Sequence, residues 1–318
     1  MTGATAAAAA TAGSGTVATM QAGATMQASA TMQPAPRLGS VRYLLGTAFH
    51  SLAYAEWGAA DAPVVVCVHG LTRNGRDFDP LARALSDRFR VLCPDLPGRG
   101  RSDWLQDASL YEPASYVVAL SHLLAAMGAP VGWVGTSLGG ICGMLLAAAG
   151  GTPVTRLVLN DVGPHLPLAA MQRIRGYVGD TPAFDDLAAL ERHLRRVHAP
   201  FGALDDAQWA HLARHSARTL ADGRLALHYD PAISGPILAR PAAAVDLAPV
   251  WSAVRVPVLA IRGADSDLLT AAGLAGMEAD GAAVHVVEGA GHAPALMDSP
   301  EINVVRRFLL AGAGGDVS

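Results

Sequence analysis

The sequence predicts an α/β protein: a doubly wound, mostly parallel sheet interrupted by a helical insertion. Three observations carry this. Unbroken apolar runs such as Val64–Val68 and Val131–Val134 have the pattern of strands buried on both faces, as parallel strands are. These runs alternate with helix-length segments, which is the rhythm of a parallel sheet covered by crossover helices. The rhythm stops at about residue 163 and resumes near residue 250, with helical segments between.

Residues 1–36 are set aside as a low-complexity tail. They are mostly Ala, Thr, Gly, Met and Gln, with Ala-Thr-Met-Gln recurring from positions 18, 24 and 30. Such a tract has little to bury and is expected to be disordered. The first basic residue is Arg37, so no charged start of a secretory signal is visible. Met20, Met26 and Met32 offer alternative starts for translation, which N-terminal sequencing of the native protein would reveal.

A hairpin is expected over Val41–Trp57, followed by the strand Val64–Val68 and a loop, His69-Gly70-Leu71-Thr72-Arg73-Asn74. A helix near Phe78–Ser86 leads to a strand, Arg90–Cys93. The next loop, Asp95-Leu96-Pro97-Gly98-Arg99-Gly100-Arg101-Ser102, is rich in turn residues. A helix over Pro113–Met127 precedes the apolar strand that ends in Gly135-Thr136-Ser137-Leu138-Gly139. Arg156–Asn160 completes the first part of the core, residues 37–162. The insertion, 163–249, has its clearest helices at Leu187–Val197 and Asp206–Leu220. The second part of the core, 250–318, holds strands Val256–Arg262 and Ala283–Val287 and helices Thr270–Ala279 and Glu301–Leu310.

Composition narrows the function. A chain of 318 residues, 51% of them hydrophobic, can bury a full core. The net charge of −4 leaves no basic surplus to neutralise phosphates, so a nucleic-acid partner is not expected. No apolar run reaches the roughly 18 residues of a membrane helix. Cys67, Cys93 and Cys142 fall in apolar strands or the helix after residue 138, so they read as reduced core thiols of a cytoplasmic protein.

The chemistry centres on Ser137. A strand, an abrupt turn with glycine two residues either side of a serine, and an apolar helix form a nucleophile elbow. A serine hydroxyl is a poor nucleophile near neutral pH without a base. Among eleven histidines, His292 lies in a turn after a strand, where parallel sheets place their active sites. His69 reads as structural. His211 and His215 stand four apart on a helix but lack an obvious third ligand, so they read as ordinary helix residues and no metal is expected. The base needs a carboxylate to hold its tautomer. Asp265 and Asp267 follow the strand Val256–Arg262, and Asp161 ends an earlier strand, where capping or pairing near the insertion is its simpler role. Backbone N–H groups of Leu71 and Leu138 are placed to form an oxyanion hole.

These motifs together resemble the α/β-hydrolase fold superfamily over residues 41–315. The His69-Gly70 loop, the Asp95–Ser102 loop, the elbow, the Arg262-Gly263-Ala264-Asp265-Ser266-Asp267 turn and the Gly289–Pro294 turn all come in family order. The resemblance implies a Ser–Asp–His triad, a lid inserted after the sixth strand and no cofactor. In the commonest family pattern the acid lies three residues after the glycine, and here that slot is Ser266. Members with a similar Arg-Gly-x-x-Ser-Asp turn use the aspartate after the serine, which implies Asp267 ahead of Asp265.

The expected activity is hydrolysis of a carboxylic ester of a small molecule through an acyl-enzyme. A C–C bond hydrolase of the aromatic-degradation type uses the same triad and is the alternative, and a non-catalytic receptor on the same fold is a third. Arg73 and Asn74 are candidate contacts for an anionic or hydroxylated substrate, although Arg73 could equally pair with Asp77, four residues on. Arg173, Arg175 and Tyr177 are further candidates. Leu166, Met171, Ile174 and Trp209 would line an apolar subsite or pack the insertion onto the core.

Overall fold

The computed structural model describes residues 35–311; the tail considered above lies almost wholly outside them. Strands β1 (Arg37–Leu45) and β2 (Ala48–Trp57) form the expected hairpin, longer at its start than its apolar pattern indicates. β3 (Val64–Val68) is buried along its whole length. Then come α1 (Asp79–Leu85), β4 (Arg90–Pro94), α2 (Pro113–Met127), β5 (Val131–Thr136), α3 (Leu138–Ala148) and β6 (Val154–Asn160). α2 opens on a proline, whose missing N–H costs nothing there, and closes on Gly128 at φ 60°, a left-handed cap.

Between β6 and the last strands lie β7 (His165–Leu166), α4 (Leu168–Tyr177), α5 (Leu187–Val197), α6 (Asp206–Ser216), β8 (Ala217–Thr219), β9 (Leu225–Leu227), α7 (Gly235–Leu238), β10 (Val245–Asp246) and α8 (Ala248–Trp251). β11 (Val258–Gly263), α9 (Ala271–Ala279), β12 (Ala283–Val287) and α10 (Ser299–Leu310) complete the order. One main sheet results, with strand order β1-β2-β4-β3-β5-β6-β11-β12. β1, β2 and β4 pair antiparallel, and the rest of the sheet is parallel.

The segment after β6 differs from expectation in one respect. It holds two short antiparallel pairs, β7 with β10 and β8 with β9. Strands of two or three residues are too short to show an alternating pattern. Helix α6 therefore stops at Ser216, where the sequence alone suggested Leu220. Asp186 caps α5 through Ala189 N–H, and Asp205 with Gln208 forms a reciprocal capping box on α6. Leu190, Leu194, Trp209 and Leu212 pack with Met297, so the inserted helices share a small core with the loop before α10. Leu166 and Ile174 join the main core.

The sheet separates two larger apolar clusters, one around Trp133, Leu120 and Met144, the other around Leu81, Val91 and Ile261. Cys67, Cys93 and Cys142 are unpaired and buried. No helix among the described residues is long and apolar enough to cross a membrane.

Candidate active site

Ser137 sits where β5 ends and α3 begins, at φ 53° and ψ −114°. That strained backbone is sparsely populated for a residue with a Cβ and persists only where neighbours enforce it. The enforcement is visible on both sides. A Cβ on Gly135 would run into the Gly139 carbonyl, and one on Gly139 into the Val68 carbonyl. Trp133 Nε1 donates to Gly139 O at 3.0 Å, tying the turn to the strand that leads into it.

Ser137 Oγ lies 3.0 Å from His292 Nε2. His292 belongs to the loop after β12, which is held from two directions. Asn160 Nδ2 donates to Pro294 O at 2.8 Å, while Gly291 N donates to Pro200 O at 2.8 Å. The imidazole is thus fixed between the end of β6 and the inserted segment.

The carboxylate on the far side of the imidazole is Asp161, and this corrects the assignment to Asp267. Asp161 Oδ2 is 2.7 Å from His292 Nδ1. The same oxygen accepts the Ser266 hydroxyl at 2.6 Å, and Oδ1 accepts Gly263 N–H at 3.0 Å. The side chain is fully buried, yet three donors satisfy it. A carboxylate at Nδ1 makes that nitrogen the donor and leaves Nε2 as acceptor, facing the Ser137 hydroxyl.

Asp267 is instead clasped by Arg173 of α4, Nε to Oδ2 at 2.5 Å and Nη2 to Oδ1 at 2.8 Å. Partial burial pushes its carboxyl up, but the hydrogen bonds and charge of Arg173 outweigh that and hold it below the ordinary value. Asp265 is exposed. Sequence reasoning placed Asp161 third because nothing local shows that the ends of β6 and β11 are adjacent. The one available signal was Ser266 in the slot that usually carries the acid.

The loop after β3 is tied down by buried side chains. His69 donates from Nδ1 to Gly70 O at 2.7 Å and accepts Leu96 N–H on Nε2 at 2.9 Å. Burial, with added repulsion from Arg99 and Arg73, pushes its pKa down to about 3, against a smaller upward pull from the Gly70 carbonyl. It is a neutral structural histidine. Arg99, fully buried, donates from Nε to Leu71 O at 2.9 Å and from Nη1 to Tyr116 Oη at 2.9 Å. Asp95 accepts Gly75 N–H at 2.8 Å and Arg101 N–H at 2.9 Å, joining the two loops that the sequence marked. Gly70 thereby stands beside the elbow, where a Cβ on it would come 3.7 Å from Ser137 Cβ, and Leu71 is the next residue in the chain. Leu138 is the first residue of α3, so its N–H has no intrahelical partner.

Arg73 makes a two-pronged pair with Asp77, both bonds at 2.7 Å. Asn74 donates to His215 O at 2.9 Å and accepts Arg76 N–H at 3.0 Å, so its amide is held in place by the protein. Arg175 holds three carbonyls at the end of α7 and beyond it, and is likewise committed.

His211 and His215 gain a third group that the sequence did not show. Asp79 lies with them, their ligand atoms all within 4.8 Å. Arg76 already clasps the Asp79 carboxylate through Nε at 2.9 Å, and His211 Nε2 bonds Arg76 O at 2.8 Å. Any cation there would have to displace a guanidinium, so the donor set favours a docking network for α6.

Comparison with known proteins places the fold in a family. Residues 65–307 match the alpha/beta hydrolase family. A 3-hydroxybutyrate-oligomer hydrolase of Cupriavidus necator is 41% identical over 86% of this chain and 98% of its own length. A 2-(acetamidomethylene)succinate hydrolase of Mesorhizobium japonicum is 31% identical over 67% of this chain and 74% of its own length. Among solved structures, an alpha/beta hydrolase from Novosphingobium aromaticivorans superposes with a TM-score of 0.77 at 36% identity, covering 85% of this chain and 98% of that one.

Proposed function

Because the chain belongs to the alpha/beta hydrolase family, a family of hydrolases and esterases, we propose that it is a serine ester hydrolase whose triad is Ser137, His292 and Asp161. The single observation that supports this most is the continuous hydrogen-bonded chain from Ser137 Oγ through both imidazole nitrogens to Asp161.

In the first half-reaction Ser137 Oγ attacks the ester carbonyl carbon as His292 Nε2 takes its proton. The resulting oxyanion is met by the N–H groups of Leu71 and Leu138. The tetrahedral adduct collapses, the C–O bond breaks, and His292 returns the proton to the departing alcohol. Water then attacks the acyl-enzyme with His292 again as base, releasing the acid and restoring Ser137. Asp161 remains ionised throughout and stabilises the imidazolium. The segment 163–249 acts as a lid, since it supplies Pro200, which grips the histidine loop.

The relative at 41% identity points to an oligoester of a short hydroxy acid as the first substrate to try. The test is turnover of a linear 3-hydroxybutyrate dimer and of p-nitrophenyl butyrate by wild-type and Ser137→Ala protein, with fluorophosphonate labelling in parallel. Full activity or full labelling of Ser137→Ala would overturn the reading. Turnover of a vinylogous diketone in preference to both esters would make the protein a C–C bond hydrolase instead.

A further inference from the structure

A small concavity of about 50 Å³ opens between the loop after β3 and the helices that follow β6. Thr72 and Arg73 line it from the core, and Tyr177, His193, His198 and Tyr229 line it from the insertion. We propose that Arg73 and His198 form a subsite for a free carboxylate, so that the preferred substrate is a short ester carrying one carboxylate group near the scissile bond. This rests on the ester-hydrolase reading above and adds the feature of the substrate that the site selects.

The Arg73 guanidinium is largely buried, with Nε and Nη2 bound to Asp77. No hydrogen bond within the described protein uses its Nη1, and a carboxylate is the natural acceptor for such a group. His198 stacks on Phe201 at 4.6 Å, and the same ring lies 5.9 Å from Arg73 Cζ, so one aromatic plate spaces both groups. Neither ring nitrogen of His198 makes a hydrogen bond within the described protein. Burial first, then repulsion from Arg73, His193 and His292, holds its pKa well below the ordinary value.

Few charges face this space. Asp77 is consumed by Arg73. His193 is neutral at pH 7, its pKa lowered by burial and by Arg196, whose guanidinium lies 3.2 Å from it. Asp180 is exposed at the rim. The positive group is therefore Arg73, and the neutral His198 ring beside it can donate a hydrogen bond to a carboxylate.

Position relates the subsite to the nucleophile. Arg73 N–H closes a turn on Gly70 O at 3.3 Å, and Gly70 is the residue packed against Ser137. A four-residue turn keeps its ends within about 7 Å. The backbone that carries Arg73 is therefore one turn away from the backbone that packs against Ser137, which suits a substrate whose carboxylate and ester are separated by a short spacer.

The test compares 3-acetoxybutanoate with its methyl ester. Wild-type protein is expected to favour the free acid in kcat/KM. Two variants should lower that preference about ten-fold or more, chiefly through KM, because each removes a charge-assisted hydrogen bond. One is His198→Gln. The other is Arg73→Gln combined with Asp77→Asn, which avoids leaving a lone buried carboxylate. Equal preference in wild type and variants would overturn the subsite. Calorimetric binding of 3-acetoxybutanoate to Ser137→Ala protein separates the two readings. Binding that distinguishes acid from methyl ester and weakens on adding His198→Gln supports the subsite even if wild type turns over neither ester, an outcome that would sink only the hydrolase proposal. Binding that does not distinguish them sinks the subsite alone.

Discussion

Ser266 donates its hydroxyl to Asp161 Oδ2 at 2.6 Å, on the same oxygen that faces His292 Nδ1. Ser266 stands in the slot that the family most often gives to the acid. The carboxylate comes instead from the end of β6, one strand closer to the nucleophile, and a hydroxyl fills the space it would have occupied. The same Ser266 oxygen accepts Leu268 and Leu269 N–H, each at 3.2 Å, so it also organises the turn that carries Asp267 outward.

The two aspartates should therefore separate cleanly in ester kinetics. Asp161→Asn is expected to lower kcat by about 10³ to 10⁴, as loss of the tautomer-setting acid does in triads generally. Asp267→Asn should keep kcat within several-fold and act mainly through the contact with Arg173. Rates on p-nitrophenyl butyrate at saturation decide the matter, and a greater loss from Asp267→Asn would restore that residue as the acid.

Ser266→Ala should weaken both activity and stability. It removes one donor from Asp161 and strands two buried N–H groups, a change worth roughly 1–3 kcal/mol for a buried unsatisfied group. The expected readout is a Tm lower by several degrees with a smaller loss of kcat. An unchanged Tm would mean that water takes the place of the hydroxyl.

Gly139→Ala should prevent folding, because a Cβ at that position would collide with the Val68 carbonyl, which is backbone and has no room to move. Soluble expression with circular dichroism checks this. Gly276→Ala is the matched control: it lies in α9 and meets nothing within 4 Å. It should be neutral or slightly stabilising, since alanine exceeds glycine in helix propensity by about 1 kcal/mol.

Acid should destabilise the fold through His69. Its folded pKa is about 3 against an ordinary 6.5, because burial excludes the charged form. Between these values the unfolded chain binds a proton that the folded chain does not. The contribution is fully present above pH 6.5 and is lost as pH falls toward 3, at roughly 1.4 kcal/mol per pH unit per proton. Urea titrations from pH 7 to pH 4 should show at least this slope, since His215 is pushed down to about 3 as well, and His69→Gln should make it shallower while lowering stability at pH 7.

Most of the scaffold was readable because parallel strands announce themselves. β3, α2 and β12 begin and end where the apolar runs and the flanking proline or glycine place them. Ser137 and His292 were legible as candidates because each occupies a turn directly after an apolar strand. Asp161 was not, since its selection depends on which strand ends are neighbours, and β6 beside β11 is a fact of topology. The commitment of Asn74 to His215 escaped notice for the same reason: the partners are 141 positions apart. His198 carries no motif at all, and only the folded insertion brings it toward Arg73.

The position of Asp161 also bears on how such an enzyme can acquire new substrates. Only Val162, fully buried, separates Asp161 from Gly163, where the stretch between the core strands β6 and β11 begins. Exchanging that segment for a foreign one would place the upstream crossover almost on top of the carboxylate that faces His292, whose own backbone is left-handed at φ 57°. The downstream crossover, in the stretch before β11, carries no such burden. A recombination library should thus tolerate varied joins near residue 250 and a single narrow join near residue 163. The scaffold can change its cover freely at only one of its two seams.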